Sequence, residues 1–252
     1  FTANLGTGGD NLDMGISTNK DVKINASDAG DLISVNYNSR IGGNLAINVA
    51  SGPVLGNSIV GIGNGAAGAG GVSSIAGDLL IKNGKNNLDL GLGLNGASQP
   101  LNIGRNLTVV SGSDAVTGSL YALNSVNVGK AISVTGGVGR DRFANGLVIS
   151  GTSTTFKMGD GGNGAGDQLG LNGLVAGTDL KVTYGSGNDI INIDFADVGR
   201  GITIDGGAGA DSIFANNIYA GTNFVYNGGE GGNGGIGNPD VFALSGIKGS
   251  AT

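Results

Sequence analysis

The sequence predicts an all-β protein, a single-stranded parallel β-solenoid (β-helix) of about ten coils. Three observations predict it: a repeat of roughly 22 residues, short runs in which apolar and polar residues alternate, and glycine at the turns between the runs. Glycine accounts for 54 of 252 residues and proline for only 3, while 39% of the chain is hydrophobic. The apolar residues are patterned rather than scattered, which argues against disorder.

The repeat is clearest near the C-terminus, where LKVTYGSGNDIINIDFADVGRG (180–201) precedes ITIDGGAGADSIFANNIYAGTN (202–223). Each unit has an apolar run, a glycine-rich turn, an Asp and a second apolar run. A β-sandwich also uses short strands and glycine turns, but it does not require this match between units. We place the coil starts at Phe1, Val22, Leu45, Leu79, Leu107, Ile132, Phe156, Leu180, Ile202 and Phe224.

The inward apolar residues of successive coils are expected to form columns, with Leu180 and Val182 above Ile202 and Ile204. We expect one solenoid domain over residues 1–252, uncapped at both ends. Long Gly-rich inserts interrupt the repeat near 50–76 and 228–238. The first insert is long, apolar and uncharged, so we expect it to make lateral contacts.

Composition excludes several classes of function. The chain contains no Cys, His or Trp, which excludes disulfides, Cys or His metal sites and Ser-His or Cys-His catalysis. Lys and Arg total 13 against 19 Asp and Glu, a net charge of −6, so nucleic acid is not an expected partner. No apolar run is long enough to predict a membrane span.

An acidic residue recurs at one corner of the coil. Asp10, Asp31, Asp141, Asp189 and Asp211 each stand nine residues after a coil start. With insertions and deletions, Asp114, Asp167 and Asp240 continue the series, and Asn57 and Asn87 fill the other two coils. Asx side chains can accept hydrogen bonds from backbone N–H groups and hold a tight turn, so a structural role is one interpretation.

The other interpretation is calcium binding. GGVGRDRFA (136–144) and GGAGADSIF (206–214) fit a Gly-Gly-x-Gly-x-Asp-x-apolar-x motif, and YGSGNDIIN (184–192) and LGTGGDNLD (5–13) fit it less one glycine. These turns resemble the RTX repeats of secreted bacterial proteins, which bind calcium between stacked coils. The resemblance implies calcium at Asp10, Asp141, Asp189 and Asp211; otherwise no cofactor is expected. RTX turns recur every nine residues on alternate sides, whereas these recur about every 22 on one side.

We do not expect an enzyme. The charged clusters that a carbohydrate-active β-helix would use are Arg140-Asp141-Arg142 and the group Asp194, Asp197 and Arg200. A glycosidase needs two carboxylates at a defined separation, and nothing in the sequence requires that spacing. Solvated charges at the coil edges explain both clusters, so we name no catalytic residue.

The ends of the chain favour self-association. Phe1-Thr2-Ala3-Asn4 aligns with the strand Phe224-Val225-Tyr226-Asn227, and counting 13 residues on from Asp240 reaches 253, where Phe1 of another copy would continue the register. Uncapped solenoid ends expose unpaired strand edges. We expect head-to-tail assembly through Phe1, Ala3 and Leu5 at one end and Phe242, Leu244 and Ile247 at the other.

The predicted function is therefore structural: a secreted, extracellular bacterial solenoid that stacks into a filament, sheath or surface layer. An excised segment of a longer solenoid is the competing interpretation of the ends. The first alternative function is a calcium-binding adhesin or stalk resembling RTX or haemagglutinin-type solenoids at the cell surface. The second is a polysaccharide-active enzyme. The expected partner is the protein itself, and a surface polysaccharide is a further candidate.

Overall fold

A computed structural model describes residues 1–27, 30–36, 38–50, 57–64, 73–84, 87–93, 100–112, 118–161, 166–229, 241–246 and 248–249. Within these ranges every coil passes through three rows of strands, and the pairings between coils are parallel. The predicted all-β parallel solenoid is thereby confirmed. Of the first predicted insert, near 50–76, residues 57–64 and 74–75 form strands, while 51–56 and 65–72 lie outside the described residues. Of the second, near 228–238, residues 230–238 lie outside them.

The first row forms one ten-stranded sheet, in which each strand pairs with its counterpart in the next coil. Its strands are β1 (Thr2–Asn4), β4 (Val22–Ala26), β7 (Leu45–Val49), β10 (Leu79–Asn83), β13 (Leu107–Val110), β16 (Ile132–Thr135), β19 (Thr154–Gly159), β21 (Leu180–Tyr184), β23 (Gly201–Asp205) and β25 (Asn223–Asn227).

The second and third rows belong to a 17-stranded sheet that turns a corner. The second row consists of β2 (Asn11–Met14), β5 (Leu32–Asn36), β8 (Asn57–Asn64), β11 (Asn87–Leu92), β14 (Leu120–Leu123), β17 (Arg142–Asn145), β26 (Val241–Ser245) and the first halves of β20 (Gln168–Ala176), β22 (Ile190–Val198) and β24 (Ser212–Ala220). The third row consists of β3 (Ser17–Thr18), β6 (Arg40–Ile41), β9 (Ser74–Ile75), β12 (Leu101–Ile103), β15 (Val126–Val128), β18 (Val148–Ser150), β27 (Lys248–Gly249) and the second halves of β20, β22 and β24.

The number and phase of the coils differ slightly from the prediction. The first row has ten strands, but the first and the last have a neighbour on one side alone, which leaves about eight coils stacked on both faces. The coil predicted to start at Phe156 starts two residues earlier, because Thr154 pairs with Ile132 and Leu180. Thr154 is fully buried and its hydroxyl lies 2.8 Å from that of Ser150, so a satisfied polar side chain occupies a core position.

The interior consists of the predicted apolar columns. Leu180, Val182, Ile202 and Ile204 are completely buried, and their counterparts in the neighbouring coils continue each column. Burial of these side chains is the main source of stability, since each contributes about 1.5–3 kcal/mol relative to exposure. In the middle coils aromatic side chains pack against one another in the core, and the ring centroids of Phe143 and Phe156 lie 4.5 Å apart.

A column of glycines forms the corner between the third row and the next coil. Gly104, Gly129, Gly151, Gly177, Gly199 and Gly221 follow the third-row strands of successive coils. A Cβ atom at Gly151 or Gly177 would collide with the carbonyl oxygen of the glycine one coil below. Glycine is favoured here because the backbones of adjacent coils approach so closely that a Cβ atom would meet the backbone one coil below. Two early coils have other residues at this position, Asn19 after β3 and Ala76 after β9.

The described part of the chain has no helix with the length and hydropathy needed to cross a membrane.

Candidate functional site

The acidic corner between the first and second rows is a hydrogen-bonded ladder. Strand register aligns Asp10, Asp31, Asp141, Asp167, Asp189 and Asp211, each one residue before a second-row strand. The backbone N–H of one Asp donates to Oδ1 of the Asp in the next coil: Asp10 to Asp31 at 2.9 Å, Asp141 to Asp167 at 2.7 Å and Asp189 to Asp211 at 2.9 Å. These carboxylates hold the corner, as the structural interpretation predicts.

Other residues occupy this column in three coils. Register places Ser58, Leu88 and Ser119 there, so the prediction of Asn57 and Asn87 is wrong by one residue. Ser119 replaces the carboxylate chemically: its Oγ accepts the N–H of Leu88 at 3.0 Å, and its own N–H donates to Asp141 Oδ1 at 2.7 Å. Asp114 and Asp240 lie outside the described residues.

Burial changes the acidity of the ladder. Removal from water raises the pKa of Asp141 to about 6, and burial together with neighbouring carboxylates raises that of Asp167 to about 8 and that of Asp189 to about 7. Oδ2 of Asp167 and of Asp189 are buried and accept no hydrogen bond from the described residues. The ladder therefore contains carboxyl groups that hold protons near neutral pH.

The predicted calcium positions, Asp10, Asp141, Asp189 and Asp211, are brought to this one corner. Among them, the Oδ1 atoms of Asp141, Asp189 and Asp211 accept backbone N–H groups, which occupies atoms that a calcium ion would otherwise use. Among the residues placed by the structure, no group of three acidic side chains is arranged to hold a metal ion. Calcium binding at these residues stays a prediction.

A second Asx ladder, which was not predicted from the sequence, lies at the corner before the first row. Oδ1 of Asp21 accepts the N–H of Asn44 at 2.7 Å, and Oδ1 of Asn44 accepts the N–H of Asp78 at 2.8 Å. Asp78 in turn accepts the N–H of Asn106 at 3.0 Å. The signal was an Asp or Asn immediately before Val22, Leu45, Leu79 and Leu107, the predicted coil starts.

The charged clusters considered for catalysis are engaged elsewhere. Arg200 donates through Nε to Oδ1 of Asp179 at 2.8 Å rather than pairing with Asp194 or Asp197. Asp194 accepts the side-chain amide of Asn216 at 3.1 Å. Arg142, the first residue of β17, is exposed, while Asp141 beside it is buried in the ladder. The geometry thus separates the charges that the sequence places together.

The residues predicted to make the assembly contact at the first end lie within β1 or directly beside it. Phe1 is exposed, whereas Ala3 and Leu5 are half-buried against the core. At the other end Phe242 pairs with Ile213 and Leu244 pairs with Ala215 through the backbone of β26. Ile247 lies outside the described residues.

Comparison of the chain with protein-family models, curated proteins and solved structures finds no match. The relationship to RTX or adhesin-type proteins accordingly stays a resemblance of turns.

Proposed function

We propose that the protein is a structural, extracellular β-solenoid whose copies stack head to tail into a filament. The observation that carries this proposal is the complementary pair of amides, Asn4 and Asn227, at the two ends of one side-chain column. Asn4 Oδ1 accepts Nδ2 of Asn25 at 2.7 Å, and Asn25 Oδ1 accepts Nδ2 of Asn48 at 3.1 Å. At the far end Asn227 Nδ2 lies 3.4 Å from Asp205 Oδ1.

All three bonds run in the same direction, with the later coil donating to the earlier one. A following coil that begins with Asn4 of another copy would therefore donate to Asn227 Oδ1 and extend the ladder. That oxygen also accepts the N–H of Gly229 at 3.2 Å, and an amide oxygen can accept two hydrogen bonds. Stacked Asn side chains of this kind stabilise in-register parallel assemblies.

The apolar columns support the same arrangement. Leu12 and Met14 in the first coil are half-buried, whereas Ile33 and Val35, their partners in the next coil, are 0% and 1% exposed. At the other edge Phe224 is half-buried above Ile202. Stacking of a further coil would complete both columns, and the apolar area removed from water would stabilise the contact by about 25 cal/mol per Å².

On its open side, β1 has backbone N–H and C=O groups that a further parallel strand could bond. Phe1 C=O and Leu5 N–H bond to Lys23 and Asn25 of β4 at 2.9 and 2.8 Å. Because successive residues of a strand direct their polar groups to opposite sides, those of Thr2 and Asn4 face the open edge. Such an edge is a template for another chain.

Electron microscopy of the 252-residue chain tests the proposal. We expect unbranched filaments with an axial repeat near ~48 Å, from ten first-row strands spaced ~4.8 Å apart. Thr2→Pro removes an edge N–H that β4 does not use, so it should abolish filaments while leaving the melting temperature unchanged. Thr2→Val keeps the N–H and is the matched control. Single rods from the unmodified chain, or normal filaments from Thr2→Pro, would contradict the proposal.

The alternative is a calcium-binding stalk or adhesin segment of a secreted protein. The observation that favours it is the pair of buried Oδ2 atoms on Asp167 and Asp189, since stacked carboxylates repel unless a proton or cation lies between them. Calcium-dependent melting would favour this alternative over the filament. Secretion and surface location belong to both proposals.

A further inference from the structure

A groove of about 480 Å³ lies on the outer face of the second row, where β17, β20, β22, β24 and β26 run side by side. The floor of the groove is one column of outward-facing positions in register: Ala144, Gly170, Asn192, Phe214 and Ala243. Gly170 has no side chain, and Ala144 and Ala243 have only a methyl group. Phe214 projects from this low floor with 45% of its surface exposed.

A row of polar side chains forms one wall of the groove. Asn172, Asp194, Asn216 and Ser245 stand in register on the adjacent outward column. Asp194 Oδ1 accepts Nδ2 of Asn216 at 3.1 Å and Nδ2 of Asn217 at 3.3 Å, and Ser245 Oγ donates to Asn216 Oδ1 at 2.7 Å. The row is therefore held in place by bonds between coils before any ligand is present.

An exposed aromatic residue in an unusual backbone conformation follows this row. Phe195 has φ 57° and is 57% exposed. The equivalent corner positions in the neighbouring coils are Gly173 with φ 80° and Asn217 with φ 54°, residues that tolerate this left-handed conformation. A bulky side chain at such a position is an outlier, and outliers of this kind concentrate at functional sites.

We propose that this groove binds a chain of neutral sugar rings. The face of Phe214 offers a platform for the apolar C–H face of a sugar ring, while amide and carboxylate groups can bond its hydroxyls. The lining includes Asp194 but no Lys or Arg in the part of the chain described, so an acidic polysaccharide or a nucleic acid would be repelled. The groove crosses five strands, about 19 Å along the axis, which suits a linear chain.

Isothermal titration calorimetry with three hexasaccharides tests the proposal. The probes are β-1,4-linked glucose, β-1,4-linked N-acetylglucosamine and α-1,4-linked galacturonate. We expect binding of at least one neutral hexamer and none of the galacturonate. No binding of either neutral probe at about millimolar concentration, or preferential binding of galacturonate, would overturn the proposal.

Two variants test whether the oligosaccharide binds in the groove. Phe214→Ala removes the platform and should weaken binding about tenfold. Gly170→Leu fills the floor; its Cβ meets only Phe143 O, at 3.7 Å, and its φ is not positive, so the fold should tolerate it.

The matched controls are Tyr219→Ala, an exposed aromatic outside the groove, and Ala122→Leu, two coils away in the column of Gly170. Both should bind like the unmodified chain. Equal binding by Phe214→Ala and the unmodified chain would overturn the assignment. Filament formation should be unchanged in all four variants, so the groove and the head-to-tail stacking can fail independently.

Discussion

The backbone N–H of Asp141 donates to Oδ1 of Asp167 in the next coil at 2.7 Å, and the same bond joins the other pairs of Asp residues that lie in adjacent coils. It explains why acidic side chains are stacked inside a chain with few charges. Each carboxylate replaces the water that would otherwise bond a corner N–H, since an unsatisfied buried N–H costs about 1–3 kcal/mol. The consequence is a row of carboxyl groups close enough to repel one another when all are ionised.

The first prediction is that the protein loses stability as the pH rises from about 5 to about 9. The pKa values of Asp141, Asp167 and Asp189 are raised in the folded state to about 6, 8 and 7 from 3.8. A raised pKa means that the folded state binds protons more tightly. The resulting stabilisation is complete below pH 3.8 and is lost as the pH rises through 6 to 8.

Urea unfolding between pH 5 and 9 measures this loss, which should be on the order of 2 kcal/mol. Asp167→Asn keeps an oxygen for the N–H of Asp141 and should flatten the profile. Asp13→Asn, on the exposed face of β2, should leave the profile unchanged. The carboxylates of Asp141 and Asp189 face Asp167 and contribute to the same transition. Burial and these carboxylates raise the pKa of the Tyr184 hydroxyl well above its usual value, so this hydroxyl stays protonated over the whole range. Stability that rises between pH 6 and 8 would contradict this prediction.

The second prediction concerns the glycine column. Gly151→Ala should lower the free energy of unfolding by about 2 kcal/mol, because the new Cβ would overlap the carbonyl oxygen of Gly129. Gly170→Ala is the control, since its Cβ would make only an ordinary contact, and it should be neutral or slightly stabilising. Chemical denaturation of both variants checks this, and equal stabilities would argue against close approach at the corner.

The third prediction is that Phe195→Asn stabilises the fold by about 1 kcal/mol, because it places a residue that accepts a left-handed backbone at φ 57°. Phe214→Asn removes an aromatic side chain of similar exposure from a strand with ordinary φ and should not stabilise. Thermal melting of the two variants separates these outcomes. A loss of stability in Phe195→Asn would mean that the ring packs against the fold.

The fourth prediction concerns calcium. Because the ladder Oδ1 atoms accept backbone N–H groups, we expect millimolar calcium to change the unfolding free energy by less than about 1 kcal/mol relative to a chelator. Magnesium is the control for a general effect of ionic strength. A larger stabilisation by calcium alone, lost in Asp141→Asn and Asp189→Asn, would instead favour the RTX-like alternative.

Several features of the fold could be predicted because they repeat. Apolar residues at alternate positions, such as Leu180 and Val182, identify a strand even when the strands that pair with it are not known. The repeat of roughly 22 residues then implies that these strands stack in successive coils. The acidic corner could be located in the same way from Asp141, Asp189 and Asp211. Where an insertion broke the count, as at Asn57 and Asn87, the prediction missed the column by one residue, which in a strand is the opposite face.

The sequence by itself determined the class of fold, the inward columns and the side of the coil on which the carboxylates lie, because each depends on local alternation and a short period. Only the tertiary structure decided which outward residues become neighbours. Ala144 pairs with Gly170 and Phe214 pairs with Ala243 across the sheet, although insertions make both separations in sequence longer than the 22-residue repeat. The groove and the second Asx ladder both arise from this register, because each brings together residues of different coils.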